Sequence, residues 1–87
     1  MVQICITFNG VGHADVTITG PAPLPPPYPK QQSGCDTFQL SPGNYAVSIV
    51  GNSGAAGTDI DITGIQLPEV HDNVPPGPLQ SVYFITV

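Results

Sequence analysis

Positive charge is almost missing from this 87-residue chain, which has Lys30 as its one cation, no Arg, six acidic residues and a formal net charge of −5. Neutralising a row of phosphates supplies most nucleic-acid affinity, and basic clusters are what draw a segment to anionic lipid. A single Lys excludes both kinds of partner. Long apolar runs are also missing: no stretch approaches the roughly 18 residues that would mark a membrane-spanning helix, so no membrane insertion is expected. The first eight residues carry no basic segment, so they are not read as a signal peptide as they stand. There is no Asn-x-Ser/Thr acceptor, and neither cysteine sits in a lipidation context. The acidic composition, rich in Thr, Gly, Pro and Asn, fits a secreted, surface or virion protein, and a cytoplasmic one remains open.

Helical periodicity is the next absence. Nowhere does a 3.6-residue apolar pattern persist for ten residues, so no substantial helix is expected. What the chain does have is turn chemistry: 10 Gly and 11 Pro, or 21 of 87 residues. At this length one domain, residues 1–87, is the natural count, burying roughly 60–65% of its unfolded surface. That leaves no room for a second core, a nucleotide-binding α/β unit or a large catalytic cleft.

The dominant period is two. Val2, Ile4, Ile6 and Phe8 alternate with Gln3, Cys5 and Thr7 as in a half-buried strand. Asn9-Gly10 and Gly12 supply turn conformations, and Val16 and Ile18 continue as the second arm of an expected hairpin. Residues 21–32 hold six prolines and are expected to form an extended polyproline-type loop. Further strands are expected over about Cys35–Leu40, through Tyr45, Val47 and Ile49, through Ile60 and Ile62, and over Ser81–Val87. The segments 51–57 and 68–78 read as loops. Six to seven short strands separated by Gly/Pro turns point to an all-β fold, an antiparallel sandwich, with a small barrel still open. The expected core is Val2, Ile4, Ile6, Phe8, Val16, Ile18, Phe38, Leu40, Tyr45, Val47, Ile49, Ile60, Ile62, Val82 and Phe84.

Phe38-Gln39-Leu40-Ser41-Pro42-Gly43-Asn44-Tyr45-Ala46-Val47-Ser48-Ile49 resembles the Phe-x-Leu-x-Pro-Gly-x-Tyr-x-Val-x-Ile hairpin of transthyretin-like, carboxypeptidase-regulatory β-sandwiches, and a similar stretch occurs in PEGA-type modules. Val16-Thr17-Ile18-Thr19-Gly20-Pro21 fits their early strand, so the resemblance covers about 18 of the 87 residues. It implies a prealbumin-like sandwich and a non-catalytic accessory, adhesive or folding module. Leu-x-Pro-Gly-x-Tyr also recurs in immunoglobulin-like sandwiches, where a Tyr hydroxyl pins a corner.

Few residues offer chemistry. His13 and His71 are the only neutral-pH bases, and both fall where exposed loops are expected. Asp59 and Asp61 share one face of a strand about 7 Å apart by strand rise, a spacing that permits a Ca²⁺ site but that any Asp-x-Asp strand gives, so a solvated sheet face is expected and no metal is assigned. Pro25-Pro26-Pro27-Tyr28 matches the Pro-Pro-x-Tyr pattern that WW domains read, so Pro25, Pro26 and Tyr28 are the interaction candidates, against a loop that merely covers the fold. Cys5 and Cys35 lie on the more polar faces of their strands, where a cross-strand bridge is expected in an oxidising compartment and two free thiols otherwise. No catalytic residue and no cofactor are expected. The reading is a non-enzymatic structural or binding module whose partner is a protein or glycan held by the loops, or another copy of the chain. The last option rests on the uncharged terminal strands: one left at an edge would be a template for pairing, whereas one central in its sheet would not.

Overall fold

The computed structural model describes all 87 residues, and it contains no helix. Eight strands run in order β1 (Val2–Phe8), β2 (His13–Thr19), β3 (Tyr28–Lys30), β4 (Gly34–Phe38), β5 (Asn44–Asn52), β6 (Thr58–Thr63), β7 (Val70–Val74) and β8 (Pro78–Thr86). They form two antiparallel four-stranded sheets, ordered β4-β1-β6-β7 and β3-β2-β5-β8. The six strands read from the period-two pattern are present. The two extra ones, β3 and β7, fall inside segments read as loops. Both are short and both lie at edges, where Pro29 can sit in a strand because an outer N–H is dispensable there.

Alternation explains the packing. The odd-even pattern of β1 sends Val2, Ile4, Ile6 and Phe8 inward from one sheet, while Ala14, Val16, Ile18, Tyr45, Val47 and Ile49 come inward from the other. Together with Ile60, Ile62, Leu40, Leu79 and Ile85 they make one cluster of 15 buried residues. Phe38 is half-buried and packs against it.

Two connections differ from the sequence reading. β1 and β2 belong to opposite sheets, so the Asn9–Gly12 turn carries the chain across the core instead of closing a hairpin. Gly12 lies so close to the neighbouring chain that an added Cβ would stand 2.6 Å from the Phe8 ring and 2.9 Å from the Asn52 carbonyl. The Phe38–Ile49 segment likewise passes from β4 in one sheet to β5 in the other, and is not a hairpin. Its corner is pinned as the tyrosine pattern implied: the Tyr45 hydroxyl donates to the Ser41 carbonyl at 2.6 Å.

The last strand shows its other face. Val82 and Phe84, expected in the core, point outward at 53% and 84% exposure, while Leu79 and Ile85 are buried and Tyr83 packs against the core. A one-residue difference in phase moves every side chain of a strand to the opposite face. The termini also part company. β1 is central, flanked by β4 and β6, whereas β8 pairs only with β5 and leaves its other side open.

Candidate functional site

The two sheets expose four edges, and three of them carry features that oppose further pairing. β3 is three residues long and contains Pro29. β4 carries Asp36, whose carboxylate holds Lys30 of β3 at 2.9 Å. β7 is five residues with His71, Asp72 and Asn73 at its middle, and Pro68 and Pro75 flank it. Short strands, charge and proline are the usual protections of an open edge. β8 has none along its length: nine residues, no charge, and a proline only at its first position.

Backbone geometry says which groups face outward. Gly43 and Val87 exchange both of their backbone hydrogen bonds, at 3.0 and 2.8 Å. Bonded and non-bonded pairs alternate along an antiparallel ladder, so Ile85, Tyr83, Ser81 and Leu79 also turn their N–H and C=O groups toward β5. The even-numbered residues then present theirs to the open side. Pro78 has no N–H to give, and the Thr86 carbonyl already accepts from Gln66 N–H at 2.8 Å. Gln80, Val82 and Phe84 are left with unpaired donors and acceptors. Beside them lies an apolar strip, because Phe84 stands opposite Ala46 and Gln80 opposite the exposed Val50 on the same outward face.

The flanks of the molecule are closed by side chains that bridge the sheets. On one side Tyr83 of β8 donates its hydroxyl to the Asp72 carboxylate of β7 at 2.6 Å. On the other, the Tyr28 and Phe38 rings lie 5.5 Å apart beside the Lys30–Asp36 pair. Burial pushes the Tyr28 phenol up to about 12, with the Asp36 charge adding to it. Burial also pushes Tyr83 up to about 12, followed by its hydrogen bond to Asp72, against a smaller lowering by Ser81. The sequence reading passed over Asp36 and Asp72 as bridging residues. Their signal was parity: Asp36 shares the inward phase of Phe38, and an acid in that phase needs a partner.

These two phenols give a pH prediction. A tyrosine that keeps its proton to about 12 when folded, and loses it near the ordinary 10.0 when unfolded, favours the folded state fully below pH 10. That contribution is lost as pH rises toward 12, because the unfolded chain then binds fewer protons. Chemical denaturation repeated at rising alkaline pH should show stability falling through that window, while the phenolate absorbance of the folded protein shows two tyrosines ionising late.

Of the residues singled out from sequence, His13 is exposed at the first position of β2, opposite Asn52, and not in the loop expected; the others fall into two places. Asp59 and Asp61 lie on β6, with side chains on the outward face, and Asp61 Oδ1 is 2.6 Å from His71 Nδ1 on the neighbouring strand. His71 is therefore a strand residue opposite Asp61, and not the loop residue expected. Its Nε2 lies 4.0 Å from Glu69, yet no group of three or more His, Cys, Asp or Glu side chains is arranged to hold a metal ion. Pro25, Pro26 and Tyr28 do come together, lining a groove of about 500 Å³ with Asp36, Thr37, Phe38 and Cys35. Tyr28 is half-buried there and its hydroxyl has no hydrogen-bond partner in the protein. Cys5 and Cys35 face each other across β1 and β4 with Cα atoms 4.0 Å apart and are joined by a disulfide.

No family model, curated protein or solved structure matches this chain. The site must speak through its own geometry.

Proposed function

We propose that this chain is a non-catalytic structural or binding module, a β-sandwich of prealbumin-like or immunoglobulin-like type, that engages a protein partner by strand addition along β8. The observation that carries the reading is the contrast between the four edges. Three are shortened, charged or interrupted, and the fourth offers unpaired backbone groups on Gln80, Val82 and Phe84 beside an exposed apolar strip. In strand addition the main chain supplies affinity and alternate side chains supply selectivity, and β8 presents both. The non-catalytic part of the reading draws on the placement of the bases. His13 and His71 belong to different sheets, and neither histidine lines a groove. The disulfide favours an oxidising compartment, hence a secreted or surface setting.

A synthetic peptide with the sequence Leu-Gln-Ser-Val-Tyr-Phe-Ile tests this reading. Added to dilute isotope-labelled protein, it should shift the amide resonances of Gln80, Val82 and Phe84 first and protect them from hydrogen exchange. The same peptide with proline in place of its central valine should not. Equal shifts from both peptides, or shifts confined to the loops, would reject strand addition.

A second reading has one observation behind it. The groove lined by Pro25, Pro26 and Tyr28 suits recognition of a protein segment or glycan through the proline-rich loop. Under that reading a Pro25→Ala/Pro26→Ala variant weakens ligand uptake while Val82 and Phe84 variants do not.

A further inference from the structure

The open stretch of β8 is bounded at both ends, and the bounds fix the register of a strand that pairs with it. At one end Pro78 lacks an N–H, and at the other the Gln66 backbone occupies the Thr86 carbonyl. Between them lie Gln80–Phe84, with Val82 at the midpoint. An antiparallel partner strand must match this window with donors and acceptors on alternate residues. The window meets that requirement when paired with itself. A two-fold axis through Val82, perpendicular to the sheet, sets Val82 against Val82 of a second copy, Gln80 against its Phe84, and Phe84 against its Gln80. Each of these three pairs can exchange both backbone bonds, as hydrogen-bonded antiparallel pairs do.

Side-chain placement agrees with that axis. Residues of one pair project to the same face, so the exposed Val82 and Phe84 of both copies meet on one outward surface. Phe84 reaches diagonally to Val82 of the other copy, within the range at which aromatic side chains interact across a sheet. No charged residue of β8 opposes the approach, whereas a second copy arriving at β3, β4 or β7 would meet proline or acid.

Resting on the reading of β8 as the association edge, we infer that two copies of this chain pair through Gln80–Phe84 about Val82, joining β3-β2-β5-β8 of each into one continuous eight-stranded sheet. The contact is isologous and the axis closes it, so assembly stops at the dimer. A short strip of this kind lies at the small end of interface sizes, and the dimer is expected to dissociate in the micromolar range or above. Each copy carries −5, so moderate salt should tighten the pair by screening their repulsion.

Sedimentation equilibrium from micromolar to millimolar concentration, at low and moderate salt, should show mass rising from one chain to two and no further. Mixed labelled and unlabelled protein should give intermolecular contacts from Val82 to Val82 and from Gln80 to Phe84. Val82→Pro removes the central outward N–H and should leave a monomer throughout. Val82→Lys sets two like charges face to face and should weaken association by about tenfold or more. Both changes fall at a side chain that is 53% exposed, and circular dichroism with a thermal melt checks folding. If Val82→Pro does not fold, Val82→Lys carries the test. A monomer at every concentration, an open-ended polymer, or a dimer untouched by either folded variant would each overturn the inference. A monomer that still binds the β8 peptide would remove the self-pairing and leave strand addition standing; loss of both would remove the two together.

Discussion

Ile4→Ala is expected to lower the unfolding free energy by about 2–5 kcal/mol, the range for truncating a fully buried isoleucine. Ile4 is completely buried on the central strand β1, with Asp36 and Ile62 as its cross-strand neighbours. Truncation removes contacts toward both sheets, and the two ladders that hold β1 leave its backbone little freedom to close over the cavity. For a domain with a total stability of about 5–15 kcal/mol that is a large share. Phe84→Ala provides the contrast: its ring is 84% exposed in the isolated chain, so dilute protein should lose no more than about 0.5 kcal/mol. Urea melts of the two variants decide the face of β8. A Phe84 variant as damaging as Ile4→Ala would mean that the even-numbered side chains of that strand are the buried ones.

Breaking the Cys5–Cys35 bond should cost a comparable amount. It closes a loop with a sequence separation of 30. Constraining a loop of that length in the unfolded chain is worth about 3–4 kcal/mol in the chain-entropy account. Denaturation of the wild type with and without reductant, together with the Cys5→Ala/Cys35→Ala double variant, should place the reduced and substituted proteins at similar, lower midpoints. The slope of the transition should also steepen, since an unlinked unfolded chain exposes more surface. Identical curves under oxidising and reducing conditions would show that the bridge contributes nothing.

Most of the all-β architecture was legible because β1, β2 and β6 each present apolar residues on one parity and polar ones on the other, and β5 sets its largest apolar residues, Tyr45, Val47 and Ile49, on one parity. The last strand did not offer that asymmetry. Over Ser81–Val87 both Val82 and Phe84 on one parity and Tyr83, Ile85 and Val87 on the other are apolar or aromatic, so alternation alone favours neither face. Extending the strand back to Pro78 would have resolved it, because Leu79 then joins the odd set while Gln80 dilutes the even one. β3 and β7 escaped detection for a different reason. Their prolines and charges contradict a central strand and are compatible with an edge, but edge position is a property of the assembled sheet. The same holds for the association site. That β8 is uncharged could be read from the chain, whereas its exposure depends on β1, the other uncharged terminal strand, being enclosed between β4 and β6.

The position of β1 also dictates an order of events in folding. Of these eight strands, β1 is made before the rest, and its two neighbours are far from it in sequence: β4 begins at Gly34 and β6 ends at Thr63. Distant pairings must close long loops before they bring any reward, which slows folding. Nascent β1, apolar on one face and uncharged, must therefore wait with both of its ladders open. β4 reaches it first, and the Cys5–Cys35 link can fasten that pair before β6 has emerged. Oxidation early in synthesis would thus shorten the interval in which β1 is exposed to misassembly, making the bridge a safeguard of biogenesis as well as a brace of the finished molecule.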